Sequence, residues 1–139
     1  MAGSIMLERL HQLEINVNEL KNSRLGNSLD DIKNSLQKQW ILRYGLFESV
    51  QIVIDVSCHL VSKYNLGNPK TYAECVELLR KFGYIKNELA DKLAAMVGLR
   101  NILIREYVAI DLKRLYGLLD HLDDFSEFAR AVKNYLTDE

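Results

Sequence analysis

One proline, Pro69, stands in a chain of 139 residues. Proline has no backbone N–H and breaks helix interiors, so its scarcity leaves long stretches on either side free to be helical. The hydrophobic spacing uses that freedom. Met6, Leu10, Leu13, Val17 and Leu20 recur every three or four residues, which places them on one stripe of a helix from Ile5 to about Arg24. Gly26-Asn27-Ser28 reads as a turn. A second, long helix is predicted from about Asp30 to Tyr64. Its centre is apolar on more than one face, from Trp40, Ile41 and Tyr44 through Val53, Ile54 and Val61. Such a helix is either the central one of a bundle or packs on its own chain and on a partner as well.

The remaining segments continue the pattern. Residues 66–70 form a loop around Pro69. Thr71 with Glu74 reads as a capping box, which starts a short helix ending near Lys81, with Gly83 as its stop. A fourth helix is predicted from about Lys86 towards Tyr107, with Leu89, Leu93, Met96, Leu99 and Leu103 on one face. Asp111 is the expected N-cap of a last helix carrying Leu112, Leu115, Leu119, Phe125, Phe128, Val132 and Leu136. No repeat, linker or low-complexity run divides the chain. Residues 1–139 therefore read as a single domain, with residues 1–5 an appended leader before a native start at Met6. The expected architecture is all-α, an up-and-down bundle of about five helices. Seven glycines are too few for a loop-rich β fold.

Charge and cysteines narrow the class. A net charge of −1 is unlike that of proteins that coat nucleic acid by bulk electrostatics, so any nucleic-acid contact has to be through a local basic site or a charge-asymmetric dimer groove. Cys58 and Cys75 lack metal-ligand spacing and read as two small buried hydrophobes in a reduced compartment. No signal pattern opens the chain and no apolar run approaches the ~18 residues of a membrane span. The expected location is the cytoplasm, with no membrane partner. No glycine loop suited to cradling phosphates is present, so the chain is not expected to bind ATP by itself.

One stretch is less generic: residues 96–107, with Arg100-Asn101, Arg105 and Tyr107. It resembles the motif helix of the HepT-type branch of the HEPN superfamily. That branch carries an arginine, usually followed by asparagine, then a histidine, one residue and a tyrosine. Arg100, Asn101 and Tyr107 match, whereas Arg105 stands where the family has histidine. The likeness extends over residues 35–135. It includes Asp55 and the Cys58-His59 pair in the long helix, the loop of residues 66–72, and the segments 111–116 and 121–125. The resemblance implies a HEPN-like homodimer with facing motif helices. It implies a metal-independent ribonuclease acting on RNA, including tRNA, with no cofactor and no DNA substrate. The implied partner is a minimal nucleotidyltransferase antitoxin that transfers AMP from ATP onto Tyr107.

The residue types suit that chemistry. RNA cleavage without a metal requires activation of the 2′-hydroxyl, stabilisation of a dianionic phosphorane and protonation of the leaving oxygen. Arg100 offers a fixed charge and several donors to phosphate oxygens. Asn101 adds neutral hydrogen bonds. Arg105 clamps phosphate but stays protonated, with pKa above ~12, so it makes a poor proton shuttle. Three readings stay open: a weakened ribonuclease, a HepT-like subunit that docks a nucleotidyltransferase without cutting, and a purely structural helical dimer. On a straight helix Arg100 and Tyr107 point about 20° apart, and Arg100 and Arg105 about 140° apart. His59 reads as structural, because neighbouring positions on a helix diverge too far for Cys58-His59 to chelate. His11 and His121 read as surface residues.

Overall fold

The computed structural model describes residues 2–104 and 112–136, with the side chains of 2–4, 101 and 104 left aside. Every regular element among them is helical: α1 (Ala2–Gly26), α2 (Leu29–Lys33), α3 (Leu36–Lys63), α4 (Tyr72–Lys81), α5 (Asn87–Gly98), α6 (Arg100–Ile104), α7 (Leu112–Leu118) and α8 (Leu122–Val132). Turns of 3-10 helix at Leu119–His121 and Lys133–Tyr135 flank α8. The expected all-α bundle is what forms, and α1 begins inside the segment read as a leader.

Local chemistry explains where the helices stop. Ser28 accepts from the backbone of Asp31, and the Asp31 carboxylate accepts from the backbone of Ser28. That reciprocal box starts α2, and Ser35 caps α3 in turn. The long helix expected from Asp30 is therefore two, because serine side chains compete with the helical ladder for the same amides. Thr71 Oγ1 accepts from Glu74 N at 3.2 Å, as the capping motif requires. The Glu74 carboxylate accepts from the backbone of Lys70 and not from that of Thr71. Gly83 takes φ +81°, the left-handed geometry that ends a helix cheaply only at glycine. The fourth helix breaks at Leu99 into α5 and α6. The Asp111 cap falls outside the described residues.

The core forms around α3. Leu10, Leu13, Val17 and Leu20 of α1 are all buried, as the stripe predicted, and so are Leu42, Leu46, Ile52, Val56 and Leu60 of α3. Phe125 and Phe128 of α8 close the core from another side. By length and composition α3 could cross a bilayer, contrary to the sequence expectation, but 56% of its most apolar window is buried within this fold. Its first two turns leave Leu36, Trp40, Ile41 and Tyr44 exposed. Tyr44 donates to Glu48 at 2.6 Å. That bond holds the Glu48 carboxyl below its ordinary range and raises the phenol of Tyr44.

Cys58 and Cys75 are joined as a disulfide between α3 and α4, with Cα atoms 5.2 Å apart. The reading of two separate thiols is corrected. Two helices packed side by side bring these Cα atoms within bridging range, which spacing in the sequence does not reveal.

Two predictions follow from the packing. A Cβ on Gly45 would lie 2.8 Å from Leu20 Cδ2, where α1 crosses α3. Gly45→Val gains helix propensity but overpacks this contact, and overpacking decides. Urea denaturation should show a loss of about 1–3 kcal/mol. The Cys58–Cys75 bridge spans a sequence separation of 17. Reduction should lower stability by about 3 kcal/mol by the loop-entropy account, and the Cys58→Ser/Cys75→Ser double variant should not respond to reductant.

Candidate active site

Arg100 is the first residue of α6, directly after the break at Leu99. The break has a local cause. The Leu99 amide bonds to Met96 O and Val97 O, a tightened last turn that ends α5. Leu99 and Leu103 are buried and pin α6 over α3. They border an apolar space of about 10 Å³ shared with Leu46, Val50 and Phe125, which has no polar group to hold a water.

The face of α3 beneath α6 is a stripe at four-residue spacing: Arg43, Phe47, Gln51 and Asp55. Each lies about one turn from the next, so neighbours along the stripe point about 40° apart and the stripe winds around the helix from Arg43 to Asp55. Arg43 Nη2 donates to the carbonyl of Leu103 at 3.5 Å. The Arg100 guanidinium carbon lies 5.6 Å from the centroid of the Phe47 ring and 5.3 Å from that of Tyr72, at the start of α4. Arg100 Nε donates to Gln51 Oε1 at 2.6 Å. Gln51 Nε2 donates to Asp55 Oδ1 at 2.9 Å. Asp55 Oδ2 accepts from Arg9 Nη2 of α1 at 2.5 Å. The motif arginine thus sits at one end of a polar chain reaching across α3 to α1. The chain is part-buried throughout.

Of the residues expected at the site, Arg100 is the one whose side chain the structure places. Asn101 belongs to α6, with its side chain outside the description, and Arg105 and Tyr107 lie outside the described residues. Gln51, Arg43 and Tyr72 were missed as site residues. Gln51 was findable: it is an amide in the middle of a strongly apolar helix, four residues before Asp55 and four after Phe47. His11 and His121 are exposed, as expected, and His59 is partly buried on α3. Among the described residues no three His, Cys, Asp or Glu side chains are grouped to hold a metal.

The long central helix α3, with the motif arginine held against it from α6, belongs to an all-helical domain. The chain belongs to the ribonuclease HepT-like family, which it matches over residues 13–132. It is 33% identical to the tRNA nuclease HepT of Aphanizomenon flos-aquae over 110 residues, 78% of this chain and 75% of that protein. It is 33% identical to the mRNA nuclease HepT of Shewanella oneidensis over 81 residues, 58% of this chain and 61% of that one. The fold is similar to that of the tri-AMPylated Shewanella oneidensis HEPN toxin, solved in complex with its MNT antitoxin. That likeness has a TM-score of 0.85 at 24% identity, covering 94% of this chain and 97% of the other. The cytosolic protein YutE of Bacillus subtilis, of unknown function, shares the fold at a TM-score of 0.70 and 14% identity, over 92% and 90% of the two chains.

The long bond from Arg43 to Leu103 O should be worth little globally, about 0.5–1.5 kcal/mol. Its loss in Arg43→Met should appear locally. Amide hydrogen exchange over residues 99–104 should accelerate while the melting temperature barely moves.

Proposed function

We propose that this chain is the RNA-cleaving toxin of a toxin–antitoxin pair, a metal-independent endoribonuclease silenced by AMPylation of Tyr107. Family membership supports the reaction class, as do the relatives named tRNA and mRNA nucleases. The observation that carries the site is Arg100, a part-buried guanidinium hydrogen-bonded to Gln51 and close to the rings of Phe47 and Tyr72. A fixed cation in a partly water-excluded place suits phosphate better than a mobile one, because little reorganisation is left for the reaction step. The chain acts as a homodimer whose motif helices face one another, so that one cleft collects groups from both copies. It works in the cytoplasm, where RNA and ATP are found.

In this reading the RNA 2′-oxygen attacks the adjacent phosphorus, and the bond to the 5′-oxygen breaks. Arg100 binds the non-bridging oxygens, on which charge grows, and Asn101 orients the same phosphate. Arg105 adds positive charge but neither accepts the 2′-hydroxyl proton, which passes to solvent, nor supplies the proton of the leaving 5′-oxygen, which comes from solvent. Loss of a general acid–base group slows such reactions by roughly 10²–10⁴. In the silencing step the partner nucleotidyltransferase moves the adenylyl group of ATP onto the phenolic oxygen of Tyr107, with pyrophosphate leaving and the phenolic proton released.

Arg105 favours a second reading, in which the chain has lost cleavage and remains a binding subunit for the nucleotidyltransferase. A single assay separates the two. The toxin reading expects slow cleavage by the natural chain, faster by about 10²-fold or more in Arg105→His and absent in Arg100→Ala. If the natural chain is inert and Arg105→His cuts, the binding-subunit reading stands. If neither cuts and Arg100→Ala binds RNA as well as the natural chain, the RNA site is wrong. After incubation with partner and ATP, the AMP adduct should map to Tyr107 and be missing in Tyr107→Phe.

A further inference from the structure

Gln51 is a primary amide with a donor end and an acceptor end that fit the same space in either orientation. Its neighbours settle which way it lies. A carboxylate only accepts, so Asp55 Oδ1 takes the NH₂ end at 2.9 Å. A guanidinium only donates, so Arg100 Nε needs the oxygen end, which it meets at 2.6 Å. Arg9 holds the second oxygen of Asp55 and keeps that carboxylate turned towards Gln51. We infer that Gln51 and Asp55 are positioning residues for Arg100. Asp55 fixes the polarity of the Gln51 amide, and Gln51 in turn fixes the plane of the guanidinium through Nε. This inference rests on Arg100 being the phosphate-binding group.

The consequence for binding is geometric. A guanidinium presents either its Nε edge or its two terminal nitrogens to an oxyanion. With Nε committed to Gln51, phosphate is met through the terminal pair. The rings of Phe47 and Tyr72 lie within cation–π range of the same guanidinium. Without Asp55 the NH₂ end of the amide loses its anchor, and the hydrogen bond to Arg100 alone holds the Gln51 side chain in place.

The Nε–H proton of Arg100 reports this chain directly, with no RNA present. In ¹⁵N NMR of the full protein, its resonance is assigned by its disappearance in Arg100→Lys. The expected result is slow solvent exchange in the natural chain. In Gln51→Leu and Asp55→Ala it should be roughly tenfold faster, the equivalent of one charge-assisted hydrogen bond. The swapped pair Gln51→Glu/Asp55→Asn keeps an acceptor for Nε and a donor–acceptor contact between positions 51 and 55, and should restore slow exchange even if Gln51→Leu packs poorly. Melting temperatures separate loss of positioning from loss of fold. In the Arg105→His background, Gln51→Leu should raise KM for RNA more than it lowers kcat, with recovery in Gln51→Glu/Asp55→Asn.

Unchanged Nε–H exchange in both Gln51→Leu and Asp55→Ala, with the fold intact, would overturn the inference whatever the protein does to RNA. If exchange responds as expected but Arg100→Ala leaves RNA binding and cleavage unaltered, the hydrogen-bond chain is upheld and the phosphate-binding reading of Arg100 falls.

Discussion

Everything in this fold is organised by the need to bury one helix on several sides. α3 runs for 28 residues, about 42 Å at 1.5 Å per residue, and isoleucine, valine and leucine cover most of its circumference. No single neighbour can shield such a surface. α1, α4 and α8 each take a sector, and the crossing with α1 is close enough that any side chain at position 45 would have to displace Leu20. The remaining sector carries charged and amide side chains. Arg43, Gln51 and Asp55 lie there because their hydrogen bonds find partners on α6 and α1, which is the condition for placing polar atoms inside a fold.

Much of this was legible from the residues. The α1 stripe, the Thr71 cap, the Gly83 stop and the family motif at Arg100-Asn101 all rest on short-range rules, in which one residue type has one physical use. What was not legible depended on contacts between distant segments. The split at Ser35 arises because a cap competes with a continuing apolar pattern, and the pattern alone reads through it. The break at Leu99 has no proline or glycine at the residue itself. The Cys58–Cys75 bridge exists because two helices lie side by side. Gln51 stands out as an amide within an apolar helix, but its partner Arg100, 49 positions away, is not marked in the sequence.

The site was half visible for the same reason. A motif names the residue that meets the substrate and is silent about what holds that residue. Arg100 was identified by its neighbours in sequence, whereas its orientation is set by α3, α4 and α1. Arg105 is the opposite case. Its proposed role rests on side-chain chemistry alone, a permanent cation at the position where the proposed reaction calls for a titrating group.

The seating of Arg100 on α3 has a thermodynamic corollary. Its side chain bonds to Gln51 and lies near Phe47, both of α3. The order around Arg100 therefore depends on the long helix beneath it. Any oxyanion that engages the arginine in this pose must bind the folded ensemble in preference to the loosened one, and its binding free energy becomes protection against unfolding. Recognition and rigidity at this end of the molecule are two readings of one equilibrium.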